Sequence, residues 1–277
     1  MRIFVLAAMA AAALAPCVLK AADCKFEQNR SGGDDARGVE KVVLVAGAGD
    51  LEVRGSEGAR RIEAAGKACA SSQALLDKIV LKTHREGSTL FIEAIMPEMK
   101  DVSLFGSTYT NLDLKVTLPK NLPVDAQDSS GDADLENLAS LKMLDSSGDL
   151  TVRSITGAVD LRDSSGDIRV DHVGNTTVQD SSGDIKLENV MGDVEIPTDS
   201  SGEIEIEKVS GNVHIAQDSS GDIEIADVKG NVVIDADSSG GISARNVGGD
   251  FTVSADTSGE IRNDNVHGRV SVPFDTK

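Results

Sequence analysis

The chain has 277 residues and a formal net charge of −19, and 40% of its residues are hydrophobic and 26% charged. This apolar fraction is too high for a disordered chain, and the length allows one large domain or two small ones. The acidic balance argues against nucleic acid and against an anionic membrane surface as partners, because both are held by clustered Lys and Arg.

Residues 1–22 have the pattern of a secretory signal peptide. Arg2 supplies the charged start, residues 3–14 form an apolar run, and Ala21 and Ala22 supply the small residues for cleavage. The run is too short to span a bilayer. An uncleaved anchor or a buried core segment is the alternative. We expect an exported protein, in the periplasm or at the cell surface, with no transmembrane segment after cleavage and a mature net charge of 25 − 46 = −21.

Two cysteines, Cys24 and Cys69, remain after the predicted cleavage. An even cysteine count in an exported protein indicates a disulfide between them. Closing a loop of that length stabilises the fold by about 4 kcal/mol in the chain-entropy model. Metal ligation by the two thiols is the weaker alternative, because no His lies at ligand spacing near either one.

Residues 56–125 are irregular, and we expect the region 23–125 to form an N-terminal β section that caps the repeats, since an open strand edge invites association. The stack is expected to begin near residue 40. Ser71 or Ser72 could cap a short helix that runs to Lys78. Alternation predicts strands at 78–83, 89–94 and 112–118, with a loop at 98–111.

An internal repeat dominates residues 126–277. The motif Asp-Ser-Ser-Gly occurs seven times, a variant Asp-Thr-Ser-Gly follows at Asp256, and the spacings are 17, 18, 17 and then 19 four times. A second glycine turn lies between successive motifs. Each period therefore has two half-units that read Gly, polar, apolar, any, apolar, as in 183–187 and 211–215. The seven motifs start at Asp128, Asp145, Asp163, Asp180, Asp199, Asp218 and Asp237.

Alternation within the half-units predicts strands. Residues 204–207 and 223–225 place β-branched residues on one face and charges on the other. One short strand pair buries too little apolar surface to be stable, so successive periods must stack. The sequence therefore predicts an all-β fold, a single-stranded parallel β-solenoid with about eight regular coils of 17–19 residues. We expect it to be right-handed, as parallel crossovers are.

Stacking would place the motif aspartates in one column, with neighbours about 5 Å apart. In water, unit charges at that distance repel by about 1 kcal/mol per pair. In one interpretation each Asp accepts a backbone N–H of its own turn while Gly takes a positive φ. The alternative is a column of calcium ions held by Asp, Ser and carbonyl oxygens, although the calcium-binding nonapeptide pattern Gly-Gly-x-Gly-x-Asp is absent. The candidate metal ligands are Asp145, Asp163, Asp180, Asp199, Asp218 and Asp237.

Catalysis is not expected. The acids recur identically in every coil, so no carboxylate pair has the two different environments that a general acid and a general base need. The four histidines occupy unrelated registers, and no nucleophile elbow, zinc spacing or phosphate loop is present. We expect no catalytic residue and no cofactor, with calcium as the one candidate ion. A glycan-active β-helix enzyme, which an Asp167→Asn variant would inactivate, is the least favoured alternative.

Several motifs together resemble the bacterial putative-adhesin family of exported β-solenoids, long labelled a domain of unknown function. They are the export signal, Gly-Asp-Leu-Glu-Val at 49–53, a strand ending Val-Thr-Leu-Pro at 116–119, and serial Ser-Ser-Gly-Asp-Ile half-units. The resemblance covers residues 40–277 and implies the solenoid fold. It also implies a surface protein or a glycan as partner, and it transfers no binding residues. Related cytoplasmic solenoids polymerise end to end as bactofilin-like scaffolds, and end-to-end self-association is the corresponding expectation, although the signal peptide here points away from the cytoplasm.

The predicted function is an exported, non-catalytic β-solenoid with an adhesin or cell-envelope scaffold role. Its working surface would be the charged outer faces of the strands, including Lys186, Glu205 and Glu224. The first alternative is a calcium-stiffened repeat protein that binds cations along the aspartate column. The second is the glycan-active enzyme.

Overall fold

The computed structural model describes residues 24–97 and 108–273. The predicted signal peptide at 1–22 and most of the predicted loop at 98–111 lie outside these residues. Within the described ranges, no helix is long and apolar enough to cross a membrane.

The N-terminal section contains seven strands and one short helix. Ser72 caps the helix, and its Oγ accepts a hydrogen bond from the Leu75 backbone N–H at 3.3 Å. The elements are β1 (Phe26–Asp35), β2 (Lys41–Val45), β3 (Leu51–Ser56), β4 (Arg61–Ala70), α1 (Gln73–Leu76), β5 (Val80–Glu86), β6 (Thr89–Ile95) and β7 (Thr110–Pro119).

The remaining strands follow the repeat, with two strands in each period. They are β8 (Pro123–Gln127), β9 (Ala133–Glu136), β10 (Ser140–Leu144), β11 (Leu150–Ile155), β12 (Val159–Arg162), β13 (Ile168–Val173), β14 (Thr176–Gln179), β15 (Ile185–Val190), β16 (Val194–Thr198), β17 (Ile204–Val209), β18 (Val213–Ile215), β19 (Ile223–Val228), β20 (Val232–Asp237), β21 (Ile242–Val247), β22 (Phe251–Asp256), β23 (Ile261–Val266) and β24 (Val270–Ser271).

The strands form two 12-stranded sheets, here called sheet A and sheet B. From β8 onward the chain alternates between them, so that each coil contributes one strand to each sheet and pairs in parallel with the next coil. Sheet A has the order β1-β4-β7-β3-β9, followed by the odd-numbered strands to β23. Sheet B runs from β5 through β6, β2 and β8 along the even-numbered strands to β24. The predicted parallel β-solenoid is confirmed.

The N-terminal strands do not stack in chain order. β2 and β3 form a coil, but β6 and β7 pair with the side of that coil that faces away from the repeats. β4 then pairs antiparallel with β7, and β1 pairs antiparallel with β4. The other sheet ends similarly, because β5 pairs antiparallel with β6. Antiparallel strands therefore close this end of the parallel stack.

The core is a continuous aliphatic interior between the two sheets, and it extends without interruption from Val39 to Val253. It passes through the predicted boundary at 125/126, which falls within β8. Equivalent residues of successive coils are in register, as in Ile204 against Ile223. The repeat pattern predicts that Val266, Val270 and Val272 face inward like their counterparts in the other coils, but the three are not buried. Val270 is 41% exposed, and Val266 and Val272 are half-buried. All three lie in the last described coil, where no following described strand covers them.

A column of residues with a left-handed backbone conformation runs along the rod, near the end of each sheet A strand of the repeats. Eight non-glycine residues, one per coil, have φ between 52° and 58°. The left-handed residue lets two successive side chains point outward, so the next residue turns back into the core, as Val209 does after Lys208. The column comprises Asn137, Ser154, His172, Asn189, Lys208, Asp227, Asn246 and Asn265.

Candidate functional site

The motif aspartates lie inside the rod. Each lies where a sheet B strand ends and the chain turns toward sheet A, and each is at most 5% exposed. The repulsion energy given above for unit charges separated by water therefore does not apply to these buried carboxyl groups. We call this set the aspartate column: Asp128, Asp145, Asp163, Asp180, Asp199, Asp218 and Asp237.

In six of the seven column residues, one carboxylate oxygen accepts a backbone N–H of its own turn and the other oxygen has no partner. Asp199 Oδ1 accepts the Ser200 N–H at 2.8 Å, and Asp145 Oδ1 accepts the Ser146 N–H at 2.7 Å. The predicted hydrogen bond to the aspartate's own turn is thereby confirmed, with Asp218 as the exception because neither of its oxygens has a partner. The Oδ2 atoms of all seven aspartates are buried without a hydrogen-bond partner.

Burial dominates the acid–base chemistry of the column. Desolvation raises the pKa of Asp128 and Asp199 to about 7 and that of Asp180 and Asp237 to about 6. Neighbouring carboxylates raise these pKa values further, and backbone N–H donors oppose the rise. The pKa values of the other members also rise, again mainly through burial: Asp145, Asp163 and Asp218.

The other positions of the motif connect coil to coil. The second serine donates its hydroxyl to the carbonyl of the first serine of the preceding coil, as Ser201 Oγ does to Ser181 O at 3.3 Å. The glycine has a positive φ, 135° at Gly202, and a Cβ there would overlap the Gly183 carbonyl oxygen. Asp-Ser-Ser-Gly is therefore a motif for stacking coils: the Asp, the Ser and the Gly each make a contact or adopt a conformation that the stack requires.

The acid after the glycine forms a second, outward-facing ladder. Asp167 Oδ1 accepts the Asp184 N–H at 3.1 Å, and Asp184 Oδ1 accepts the Glu203 N–H at 2.9 Å. Asn and Asp side chains do the same at the second glycine turn, where Asp193 Oδ1 accepts the Asn212 N–H at 2.7 Å. These carboxylates therefore already receive donors from the next coil.

The outer face of sheet A has alternating charges that pair across coils. Lys186 Nζ lies 2.7 Å from Glu205 and 3.3 Å from Glu188. Arg245 reaches across two coils to Glu207 at 3.0 Å. Glu224 is exposed and in register with Glu205. The three residues expected on the working surface, Lys186, Glu205 and Glu224, therefore lie on this one face.

A shallow groove follows the corner where the left-handed residues lie. It consists of two adjoining cavities of about 420 and 490 Å³, which share His172 and Met191. Met191 is 61% exposed, and Lys208 and Lys229 line the same groove. The sequence pattern did not reveal this surface, because the left-handed turn that creates it leaves no gap in the strand pattern. The signal available was asparagine at four of the eight equivalent positions.

One group of carboxylates has the spacing for a metal ion. Among residues 24–97 and 108–273, Glu188, Glu205 and Glu207 are the one set of three whose ligand atoms all lie within 4.8 Å of one another. The Lys186 ammonium already forms ion pairs with two of them, Glu188 and Glu205. The aspartate column supplies no such set in the described ranges, although calcium takes six to eight oxygen ligands.

The disulfide expected between Cys24 and Cys69 is present, with the two Cα atoms 5.7 Å apart. It ties Cys24, two residues before β1, to Cys69 near the end of β4, beside the pair Phe26 and Ala70. The bridge therefore fastens the edge strand that closes the N-terminal end of sheet A.

Comparison with solved structures finds similar chains at low sequence identity. A putative adhesin from Parabacteroides merdae is 13% identical, with 90% of this chain and 97% of that one covered and a TM-score of 0.47. A putative lipid binding protein from Parabacteroides distasonis is 18% identical, covering 90% and 98% with a TM-score of 0.41. A putative cell adhesion protein from Clostridium sporogenes is 13% identical, covering 89% and 99% with a TM-score of 0.32.

Comparison with curated proteins finds no match. A family model does match, over residues 39–267, which includes the N-terminal coils and all eight copies of the repeat motif. The chain belongs to the Toastrack DUF4097 family.

Proposed function

We propose that the protein is an exported, non-catalytic rod that acts as an adhesin or as a scaffold of the cell envelope. The observation that carries this proposal is the outer face of sheet A, where charged side chains recur once per coil on a continuous parallel stack. A repeated surface of this kind can engage an extended or repetitive partner at several coils at once, which strengthens weak contacts through multivalency.

Export is supported by the leader at 1–22 and by the Cys24–Cys69 disulfide, since disulfides persist in oxidising compartments. The non-catalytic role is supported by the architecture of the acids. Motif carboxylates are buried in the aspartate column or accept N–H donors from the next coil, so neither set presents a free acid–base pair.

The binding test uses the mature chain on arrays of glycans and envelope proteins. We expect saturable binding that Glu224→Lys reduces at least tenfold, because this change reverses a charge in the middle of the sheet A face. Asp160→Lys makes the same charge change on the outer face of sheet B and serves as the matched control. Equal binding by both variants and the parent chain would refute sheet A as the working surface.

Two further measurements test the rest of the proposal. Fractionation of cells is expected to recover the protein from the periplasm or the outer surface, and retention in the cytoplasm would contradict export. Incubation with acidic polysaccharides is expected to yield no cleavage products. Cleavage that is lost in Asp167→Asn would contradict the non-catalytic role.

A further inference from the structure

The aspartate column is an unusual interior. Seven carboxyl groups, one per coil, lie one above another along the rod, each at most 5% exposed. The backbone pairs in parallel here as well, since Asp218 bridges to Asp237 and Asp237 is in register with Asp256. Adjacent members are therefore one strand spacing apart, about 4.8 Å.

An ionised column would leave many acceptors without donors. Each Oδ2 is buried and lacks a partner, and an unsatisfied buried carboxylate oxygen carries a large desolvation cost. Among the described residues, the charged groups that act on the column besides its own members are also acids. They are Asp50, Asp132, Asp149, Asp167 and Asp256.

A proton on Oδ2 removes this difficulty. A neutral carboxyl group has an O–H donor, and the carboxyl group of the neighbouring coil supplies an acceptor. A proton between two neighbours therefore satisfies both orphaned oxygens and removes one of two like charges, as in paired carboxylates that share a proton. Repetition in every coil extends the arrangement along the rod.

We propose that the aspartate column is a proton-binding site within the rod, in which carboxyl groups of neighbouring coils share protons, so that the folded chain holds more protons than the unfolded chain in mildly acidic solution.

Geometry favours protons over calcium as the occupant. No three column carboxylates in the described ranges bring oxygens within 4.8 Å of one another, whereas calcium requires six to eight oxygens. Ser hydroxyls of the motif, such as Ser201 Oγ, already donate to carbonyls of the preceding coil. A proton needs two oxygens, which is what each step of the column provides.

The sign of the pH effect follows from linkage. Burial raises the pKa of column members to about 6–7, above the unfolded value of about 3.9. The folded chain therefore binds more protons between pH 4 and 7, and stability falls as pH rises through that range. Carboxyl groups with lowered pKa values, such as Glu52 and Asp171, lose their contribution only below about pH 4.

Two other groups, Glu203 and His214, act in the same direction and must be removed. Burial raises the pKa of Glu203, and the neighbouring acids Glu224 and Asp184 raise it further. His214 lies 2.8 Å from Asp235 and 2.9 Å from Glu195, and these hydrogen bonds raise its pKa. Its stabilisation is complete below its unfolded pKa and is lost as pH rises through the folded value. All comparisons are therefore made in a background that carries both Glu203→Gln and His214→Gln.

The experiment compares Asp199→Asn with Asp184→Asn by urea unfolding at pH 5 and pH 8. An asparagine side chain at position 199 keeps an acceptor and supplies N–H donors at every pH, without the binding of an extra proton. The variant should therefore be more stable than the background at pH 8, and its free energy of unfolding should depend less on pH. Asp184 faces outward, and its variant should keep the pH dependence of the background. The background itself should unfold at lower urea at pH 8 than at pH 5.

Carbon-13 NMR of the carboxyl groups in the unsubstituted chain gives a second readout that needs no variant. Several aspartate resonances should titrate with midpoints above pH 5.5. Midpoints all below 4.5, or a urea midpoint that rises with pH, would overturn the proposal. So would millimolar calcium that raises the melting temperature at pH 7 in the parent chain and fails to do so in Asp199→Asn, since that result identifies a cation column.

Discussion

Lys208 occupies a backbone conformation that suits other residues better. Its φ is 58°, and the left-handed region costs most non-glycine residues about 1–2 kcal/mol, whereas Asn tolerates it. Asn189 holds the same position in the preceding coil and Asn246 holds it two coils further on, and their amides donate to outward-facing aspartates at 2.7 Å. Lys208→Asn should therefore raise the free energy of unfolding by about 0.5–1 kcal/mol, measured by urea denaturation.

Lys229→Asn is the control, because Lys229 is exposed at the same corner without a positive φ. Its effect should stay within about 0.5 kcal/mol of zero, as for most surface substitutions. Equal gains from both variants would show that removal of a positive charge, and not backbone strain, is responsible.

At the scale of the element, the turn glycines hold adjacent coils at contact distance. Gly202 has a φ of 135°, and a side chain there would overlap the Gly183 backbone. Gly202→Ala should therefore lower the free energy of unfolding by about 3 kcal/mol or more. Gly58 has a φ of 74° with no atom within 4 Å of an added Cβ, so Gly58→Ala reports conformational strain alone, about 1 kcal/mol. A similar loss in both variants, by urea denaturation, would show that contact between coils contributes little.

The disulfide is an element-scale constraint on β1 and β4. Replacement of Cys24 and Cys69 by Ala should cost up to about 4 kcal/mol, because the unfolded chain regains the freedom of a closed loop with a sequence separation of 45. Thermal melts of the oxidised parent, the reduced parent and the double variant measure this loss. Reduction should reproduce the double variant, and a reduced parent that melts with the oxidised one would contradict the prediction.

Strand positions in the repeats could be predicted from the sequence, and the order of the N-terminal strands could not. Residues such as Ile204 and Ile206 alternate with acids, so their period fixes both strand and inward face. The placement of β7 between β4 and β3 depends on pairing between distant segments, which local periodicity does not encode. The Ser72 cap was predictable because capping involves only neighbouring residues.

At the scale of the whole molecule, the main discrepancy concerns the aspartate column. A charged residue beside Ser-Ser-Gly suggests an exposed turn, because aspartate is rarely buried. Its burial results from the stack itself: each coil covers the turn of the coil below, and Asp199 in mid-stack is fully buried. The turn could be predicted because it depends on the chemistry of neighbouring residues in the motif. The burial of the aspartate could not, because it depends on the coils that pack around the turn in the assembled rod.

A stack in which each coil contacts only its neighbours should lose stability unevenly along its length. Ile204 and Ile261 occupy the same register row through Ile223 and Ile242, but Ile204 is fully buried and Ile261, in the last sheet A strand described, is half-buried. Ile204→Ala should cost about 2–5 kcal/mol, because it leaves a cavity between two covered coils. Ile261→Ala should cost less than half as much.

Hydrogen exchange measured by mass spectrometry resolves where each loss occurs. Ile204→Ala should speed amide exchange in the coils on both sides of β17, and Ile261→Ala only in β21 to β24, because coupling passes through adjacent coils. Uniform acceleration over the whole chain in both variants would instead mean that the rod unfolds as one cooperative unit. A nearest-neighbour stack predicts protection that rises from β23 inward, since β23 has no described strand on its outer side.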